Sequence, residues 1–393
     1  MARNHATLHK LGFVRQNQNG LVRVRTGGTL SRRAFALGAL ATGATIAGRS
    51  LHPARASGAE VNYMGWQGYE EALKTDGFLD KNSVVLRTSY ITGNEEIITK
   101  ATSGGLGSMD LVTPDGAHTR FMSELGILEP LDVARIPNLA GLYPEFASMN
   151  DTLIDGVRYS VPFMWGSIPL MYNADIVKEP PTSWLDLLKP EFKGKVALVE
   201  DMISMIGDFA LAATDAEVPT WLTPDQMNAT FDLLKRIKKE QARAIAPTYG
   251  ELATLFATGE VVIAPAWQPV SIWAGDKVNL KWVEPKEGVW VFVDCYAMAK
   301  DAPNQDANYL LLNQAISPAG QANAANINMT ACTVKNAVPM LSEQARAIYP
   351  YDNLSSAFAK SGGRMYPLYP TEPDGKHATF DDILGAWEDF LKA

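Results

Sequence analysis

Val161-Pro162-Phe163-Met164-Trp165-Gly166 is an extended apolar run set in the middle of a chain of 393 residues. On both sides of it, segments with strand character alternate with longer amphipathic ones, the pattern of an α/β protein with mainly parallel sheets. Upstream, Val61–Trp66, Ser83–Thr88 and Met109–Val112 read as strands, the last ending at Thr113-Pro114-Asp115. Between the second and third, Asn94 is a fitting N-cap for a helix to about Thr102, with Glu95 and Glu96 beside its positive end. Downstream, Trp184–Leu188 reads as a short helix, Lys195–Val199 as a strand ending in Glu200-Asp201, and Pro224–Glu240 as a long amphipathic helix. Gly250–Thr258 is a further helix ended by Gly259, and Val261–Ala266 is a strand leading to Trp267. Val289–Asp294 is a strand that carries the chain back. The run at 161–166 then serves as the first crossing between two lobes. In open α/β sheets ligands sit beyond the carboxyl ends of strands, which places Trp66 and Asp115 at a cleft.

The first 56 residues contain no Asp or Glu and carry nine of the 35 Lys and Arg. Ser31-Arg32-Arg33-Ala34-Phe35 opens an Ala/Gly-rich stretch from Ala34 to Ala47, and Ala54-Arg55-Ala56 is a small-x-small site. The segment 1–56 therefore reads as a twin-arginine signal peptide, cleaved to leave a mature chain from Ser57. Its Ala/Gly stretch is too short and too weakly apolar to span a bilayer. No cysteine follows it to take a lipid, so a free periplasmic product is expected. The 337 residues left, 393 minus 56, exceed what one core usually holds and agree with two lobes.

Without the leader, 26 basic residues (35 minus nine) face 43 acidic ones, a net charge near −17. Nucleic acid and anionic membranes are poor partners for such a surface, and soluble cations are good ones. Acidity for solubility alone accounts for the charge equally well. Cys295 and Cys332 permit one disulfide or two buried thiols. Beyond the leader the only histidines are His118 and His377, and there is no HExxH, no Gly-x-Ser-x-Gly, no Walker loop and no cysteine pair at metal spacing. The reading is therefore a non-enzyme with no cofactor and no metal; Tyr69 and Tyr249 are not a diagnostic iron-binding pair.

Gly93-Asn94-Glu95-Glu96 is followed by Asp110-Leu111-Val112-Thr113-Pro114, by Gly126 to Asp132, and by the run at 161–166 with Tyr172-Asn173 closing the crossing. Pro190 to Val196, Gly259-Glu260-Val261 and Pro285-Lys286-Glu287-Gly288 continue the series. In this order and spacing, from about Asn62 to the end, the chain resembles the periplasmic spermidine/putrescine-binding proteins of ABC transporters. The resemblance implies a type II periplasmic binding protein fold, two α/β lobes joined by two crossing strands that close over ligand. It puts 57–163 and 293–338 in lobe 1, and 164–292 and 339–393 in lobe 2. It further implies a monomer that binds a small cationic amine noncovalently and hands it to an inner-membrane permease.

A polyamine is an alkyl chain with protonated amines, so its site needs spaced carboxylates and aromatic faces. By the resemblance, Trp66 and Tyr69 match a Trp-x-x-Tyr on one wall, and Trp267 matches a tryptophan of the other lobe. Asp201 and Asp294 match the family's acids, Asp294 as the one that grips an amine near the crossing. Strand alternation adds that Trp290, Phe292 and Asp294 share a face, although two core aromatics and a turn acid would look the same. Asp115 is a further candidate acid whose plain reading is a turn before Gly116. The chain departs from the family pattern at Asp115 and Ala117 (Ser and Tyr there), Phe292 (Trp), Ser204 (an acid) and Met329 (near a Tyr). These changes weaken spermidine and leave putrescine, another diamine or a different cation. The alternative is a zwitterion such as γ-aminobutyrate, with Arg87 or Arg120 for its carboxylate, although surface and helix placements account for both arginines.

Overall fold

The computed structural model describes residues 58–91, 93–354 and 367–393. The expected leader and its cleavage site at Ala56 lie outside the described residues.

Val61, Tyr63 and Met64 are buried in the first strand, β1 (Ala59–Gly65). It pairs in parallel with β2 (Val84–Tyr90) on one side and β3 (Leu111–Val112) on the other. After a small hairpin, β4 (Leu153–Ile154) with β5 (Val157–Arg158), the chain enters β6 (Ser160–Ser167), buried along its whole length. The segment read as the crossing is thus a central strand of the first sheet. It leads into the crossing, which is made by Ile168-Pro169 before β7 (Leu170–Asn173) starts the second sheet. That sheet continues with β8 (Val196–Val199), β9 (Ala242–Ala246), β10 (Ile263–Pro265) and β11 (Leu280–Val283). The return runs through 284–290 into β12 (Val291–Met298), and β13 (Ala331–Cys332) completes the first sheet. The strand orders are β13-β6-β12-β3-β1-β2 and β11-β7-β10-β8-β9. The two crossings touch, Ile168 N donating to Trp290 O at 3.1 Å.

One proline shapes the centre of the first sheet. Pro162 has no N–H for the ladder, and the β6–β12 register slips by one residue there, between Asp294 and Cys295. Phe163 is the residue left over, a β-bulge in the middle of the longest strand pair. On its other edge β12 stays in register with β3, Cys295 N donating to Pro114 O at 2.8 Å and an antiparallel bridge joining Asp294 to Asp115. The bulge thus lies beside the point where two carboxylates meet.

The helices follow the sequence signals closely where caps are strong. Thr223 and Gln226 form a capping box and Pro224 opens a helix to Glu240. Helix Phe380–Lys392 lies along it, Lys238 Nζ donating to Phe390 O at 2.8 Å. The helix at Asn94–Lys100 differs from expectation: Gly93 is its N-cap, and the Asn94 side chain instead accepts from Asp115 N at 2.9 Å. Cys295 and Cys332 are both buried free thiols. They sit on strands either side of β6, two strand spacings or about 9–10 Å apart, beyond the reach of a disulfide.

Candidate functional site

Three aspartates face the same region from different elements. Asp115 follows β3 and caps helix Gly116–Glu124, its Oδ1 accepting from Ala117 N at 2.8 Å. Asp201 follows β8 and caps helix Met202–Ala213, its Oδ1 accepting from Ser204 N at 3.2 Å. Asp294 comes from the middle of β12. The plain turn reading of Asp115 and its candidate role coexist, because a cap uses one carboxylate oxygen and leaves the charge in place.

Two of the three acids accept a hydrogen bond from a tyrosine. Tyr69 Oη donates to Asp294 Oδ2 at 2.5 Å, and its ring stands edge-on to Phe163 at 5.3 Å. Tyr249 Oη donates to Asp201 Oδ2 at 2.8 Å. Trp267, just past β10, is partly exposed and packs against Phe292 at 5.9 Å, Tyr249 at 6.4 Å and Trp273 at 5.5 Å. Gly166, paired with Phe292 across β6 and β12, has no room for a side chain: a Cβ there would lie 2.6 Å from the Phe292 ring and 2.8 Å from Trp267 Nε1. Trp66 closes the end of β1, its backbone N–H on Thr113 Oγ1 at 3.0 Å. Among the described residues the indole N–H of Trp66 is buried without a hydrogen-bond acceptor.

The electrostatics are those of acids drawn out of water. Burial holds the Asp294 carboxyl well above the usual carboxylate range, and the charges of Asp115 and Asp201 push the same way against the Tyr69 hydrogen bond. Burial also raises Asp201, with Asp115 adding to it, while bonds from Ser204 and Tyr249 draw it back. Asp151 is pushed up to about 6 by burial and by Asp115, with Arg120 opposing. Among the described residues no Lys or Arg forms an ion pair with Asp115, Asp201 or Asp294; His118 Nδ1 stands 3.9 Å from Asp115 Oδ1. Nor do three His, Cys, Asp or Glu side chains converge closely enough to hold a metal among the described residues.

Six of the seven expected residues form one connected set: Tyr69 to Asp294 to Asp115, Asp115 acting on Asp201, and Asp201 through Tyr249 to Trp267 and Phe292; Trp66 stands beside Thr113, two residues before Asp115. Trp290 does not join them. It precedes β12, is buried with its ring over Gly207, and its N–H goes to the buried Asp208 at 2.5 Å. Arg87 is on the surface paired with Glu60 at 3.2 Å, and Arg120 is an exposed residue of helix Gly116–Glu124. Tyr249 and Asp151 are additions. Tyr249 was findable, since it lies just beyond the carboxyl end of β9. Asp151 lies in a turn between short elements, where no pattern marks it. Met329, at the place of an expected tyrosine, takes a left-handed conformation and its carbonyl accepts Tyr349 Oη at 3.1 Å.

Comparison with known proteins places this geometry in context. The sequence description of the bacterial extracellular solute-binding proteins matches residues 107–357. The chain is 27% identical over 294 residues to spermidine/putrescine-binding periplasmic protein 1 of Haemophilus influenzae, covering 72% of this chain and 79% of that one. Among solved structures, the spermidine/putrescine substrate-binding protein of Streptococcus pneumoniae superposes with a TM-score of 0.68 at 21% identity, over 85% of this chain and 98% of that one. A solved GABA receptor superposes with a TM-score of 0.62 at 20% identity, over 76% and 90%. The shared fold is the type II periplasmic binding arrangement of two α/β lobes joined by two crossing strands.

Proposed function

The chain belongs to the bacterial extracellular solute-binding protein family, and from that premise we propose that it captures a small diamine of the putrescine class between its lobes for an ABC importer. The observation that carries the proposal is the meeting of Asp294 with Asp115 across a β-bridge, under the Tyr69 hydroxyl and, among the described residues, with no Lys or Arg paired to either acid. Charging the buried Asp294 beside a second, half-buried acid is costly, and an ammonium group offsets that cost.

In this reading one ammonium is held by Asp294 and Asp115, the methylenes lie against Trp66, Trp267 and Phe292, and the second ammonium reaches Asp201. The distal acid of the longer-polyamine pattern is Ser204 here, which supports a diamine over spermidine. The lobes rotate about the crossings at 168–169 and 284–290, and the closed form docks on the permease. Binding is noncovalent, in a periplasmic monomer released from the leader at 1–56. The wider relatives, named for spermidine and putrescine and in one case for GABA, bracket the ligand class.

The test is a thermal-shift series on the full chain with putrescine, spermidine, γ-aminobutyrate and choline, followed by calorimetry on any hit. A ligand that binds only the folded state raises the melting temperature. Putrescine giving the largest shift is the expected result. The largest shift with γ-aminobutyrate would keep the clamp and replace the diamine by a zwitterion, with Arg120 the first arginine to examine.

A further inference from the structure

The return crossing at 284–290 is fastened to the second lobe at several points. Lys286 N donates to Thr182 O at 2.9 Å, and the Trp184 indole N–H donates to Gly288 O at 2.9 Å. Trp184 in turn packs against Phe209 of helix Met202–Ala213, ring centroids 5.6 Å apart. The last tie is at Trp290. Its backbone N–H donates to Asp208 Oδ1 at 2.5 Å, with both residues buried. Its ring lies so close over Gly207 that a Cβ there would stand 2.5 Å from it. One residue further on, Val291 pairs with Ser167 and belongs to the first sheet. The Trp290 carbonyl accepts from Ile168 N of the other crossing at 3.1 Å.

The helix that holds Trp290 is the one capped by Asp201. Asp201 and Asp208 are seven residues apart, which is two turns or about 10 Å along one helix. A movement that carries Asp201 toward the first wall therefore carries Trp290 with it. Asp208 is itself out of reach of ligand, at 0% exposure, and among the described residues its Oδ2 has no hydrogen-bond partner. Burial, with Asp201 adding to it, holds this carboxyl well above the usual carboxylate range against the Trp290 bond, so it serves as a neutral acceptor. A buried backbone N–H left without an acceptor is costly, which is why Trp290 stays with this helix.

We propose that Asp208 is a positioning residue for capture: it locks Trp290 to the helix capped by Asp201, so that the return crossing travels with the second lobe and the turn between lobes is taken at the Trp290–Val291 junction. The proposal rests on the two-lobed clamp and not on the diamine.

The test is the distance between nitroxides on Glu124→Cys and Lys235→Cys, exposed positions on helices of the first and second lobes. It is measured by double electron–electron resonance on the full chain without ligand, together with hydrogen exchange at the Trp290 amide by NMR. The parent and Asp208→Asn, which keeps the acceptor oxygen, should give the same narrow distance distribution. Asp208→Leu, branched at the same carbon, should widen it and speed Trp290 exchange about tenfold, the effect of losing one buried hydrogen bond. Gly207→Ala favours the helix but drives a methyl into the Trp290 ring; it should widen the distribution too, and is the second variant should Asp208→Leu fail to fold. An unchanged distribution in Asp208→Leu and Gly207→Ala overturns the proposal even if the amide exchanges faster, because Asp208 is then a local tie only. Asp208→Asn widening the distribution as much as Asp208→Leu overturns it as well, since the acceptor is then not what holds Trp290. Failure of the diamine reading is read separately, as putrescine that does not raise the melting temperature of the parent.

Discussion

Asp115 and Asp201 occupy equivalent places in the two sheets. Each lies just beyond the carboxyl end of a short strand, and each caps the helix that follows, through Ala117 N at 2.8 Å and Ser204 N at 3.2 Å. The difference is in their company. Asp115 is bridged to a second carboxylate, Asp294, delivered by β12 and covered by Tyr69. Asp201 has one phenol, Tyr249, and an aromatic group around Trp267. The first wall brings the buried Asp294 beside the half-buried Asp115, and under the proposed function it gains most from a cation; the second offers one acid and a hydrophobic shelf. Under the proposed function, the same strand-end device is an anchor in one sheet and a cover in the other.

The largest effect that this contrast predicts is on affinity. Asp294→Asn should weaken putrescine binding about a hundredfold, since an ammonium is then buried against a neutral amide, whereas Asp201→Asn should cost about tenfold. Calorimetry on the two variants checks the order, and a larger loss at Asp201 would reverse the roles of the walls. Next, Asp115→Asn keeps the helix cap, because asparagine caps as well as aspartate, so its effect reads out charge. Asp115→Asn and Asp294→Asn should be non-additive by about 1 kcal/mol when combined, because they share one cation; strict additivity would separate them.

A smaller effect follows from the raised Asp294 carboxyl. As pH climbs from about 4, the unfolded chain loses this proton first while the folded protein keeps it. The unliganded protein should therefore lose stability as pH rises through the folded Asp294 range, and Asp294→Asn should flatten that slope. Melting curves from pH 4 to 8 without ligand measure it; an unliganded protein whose stability climbs with pH in both versions would contradict the burial argument. The smallest expected change is about threefold in affinity for Tyr249→Phe, from one hydrogen bond that orients Asp201.

The α/β class was legible because it rests on periodicity, and the signals at Pro224 and Gly259 bounded helices to within a residue or so. Asp115 was singled out by its strand end alone, Asp201 by a strand end and the family motif, and Asp294 by the family motif and strand alternation. Three features were not. The slip at Pro162 depends on which strand pairs with β6, and β12 is about 130 residues away in sequence. The fate of Trp290 turned on where β12 begins: one residue short of the strand, it follows the crossing into the second sheet's helices instead of alternating toward Asp294. Asp115 acts through space on Asp151, and no local pattern records that proximity.

The central claim, that the first wall is a pair of acids waiting for a cation, is tested most directly by calorimetry of putrescine binding near pH 6 in two buffers of different ionisation enthalpy. A bound ammonium favours the charged form of Asp294, so binding should release protons, and the release should fall sharply in Asp294→Asn. Binding enthalpies identical in the two buffers, with putrescine affinity untouched in Asp294→Asn, would contradict the account.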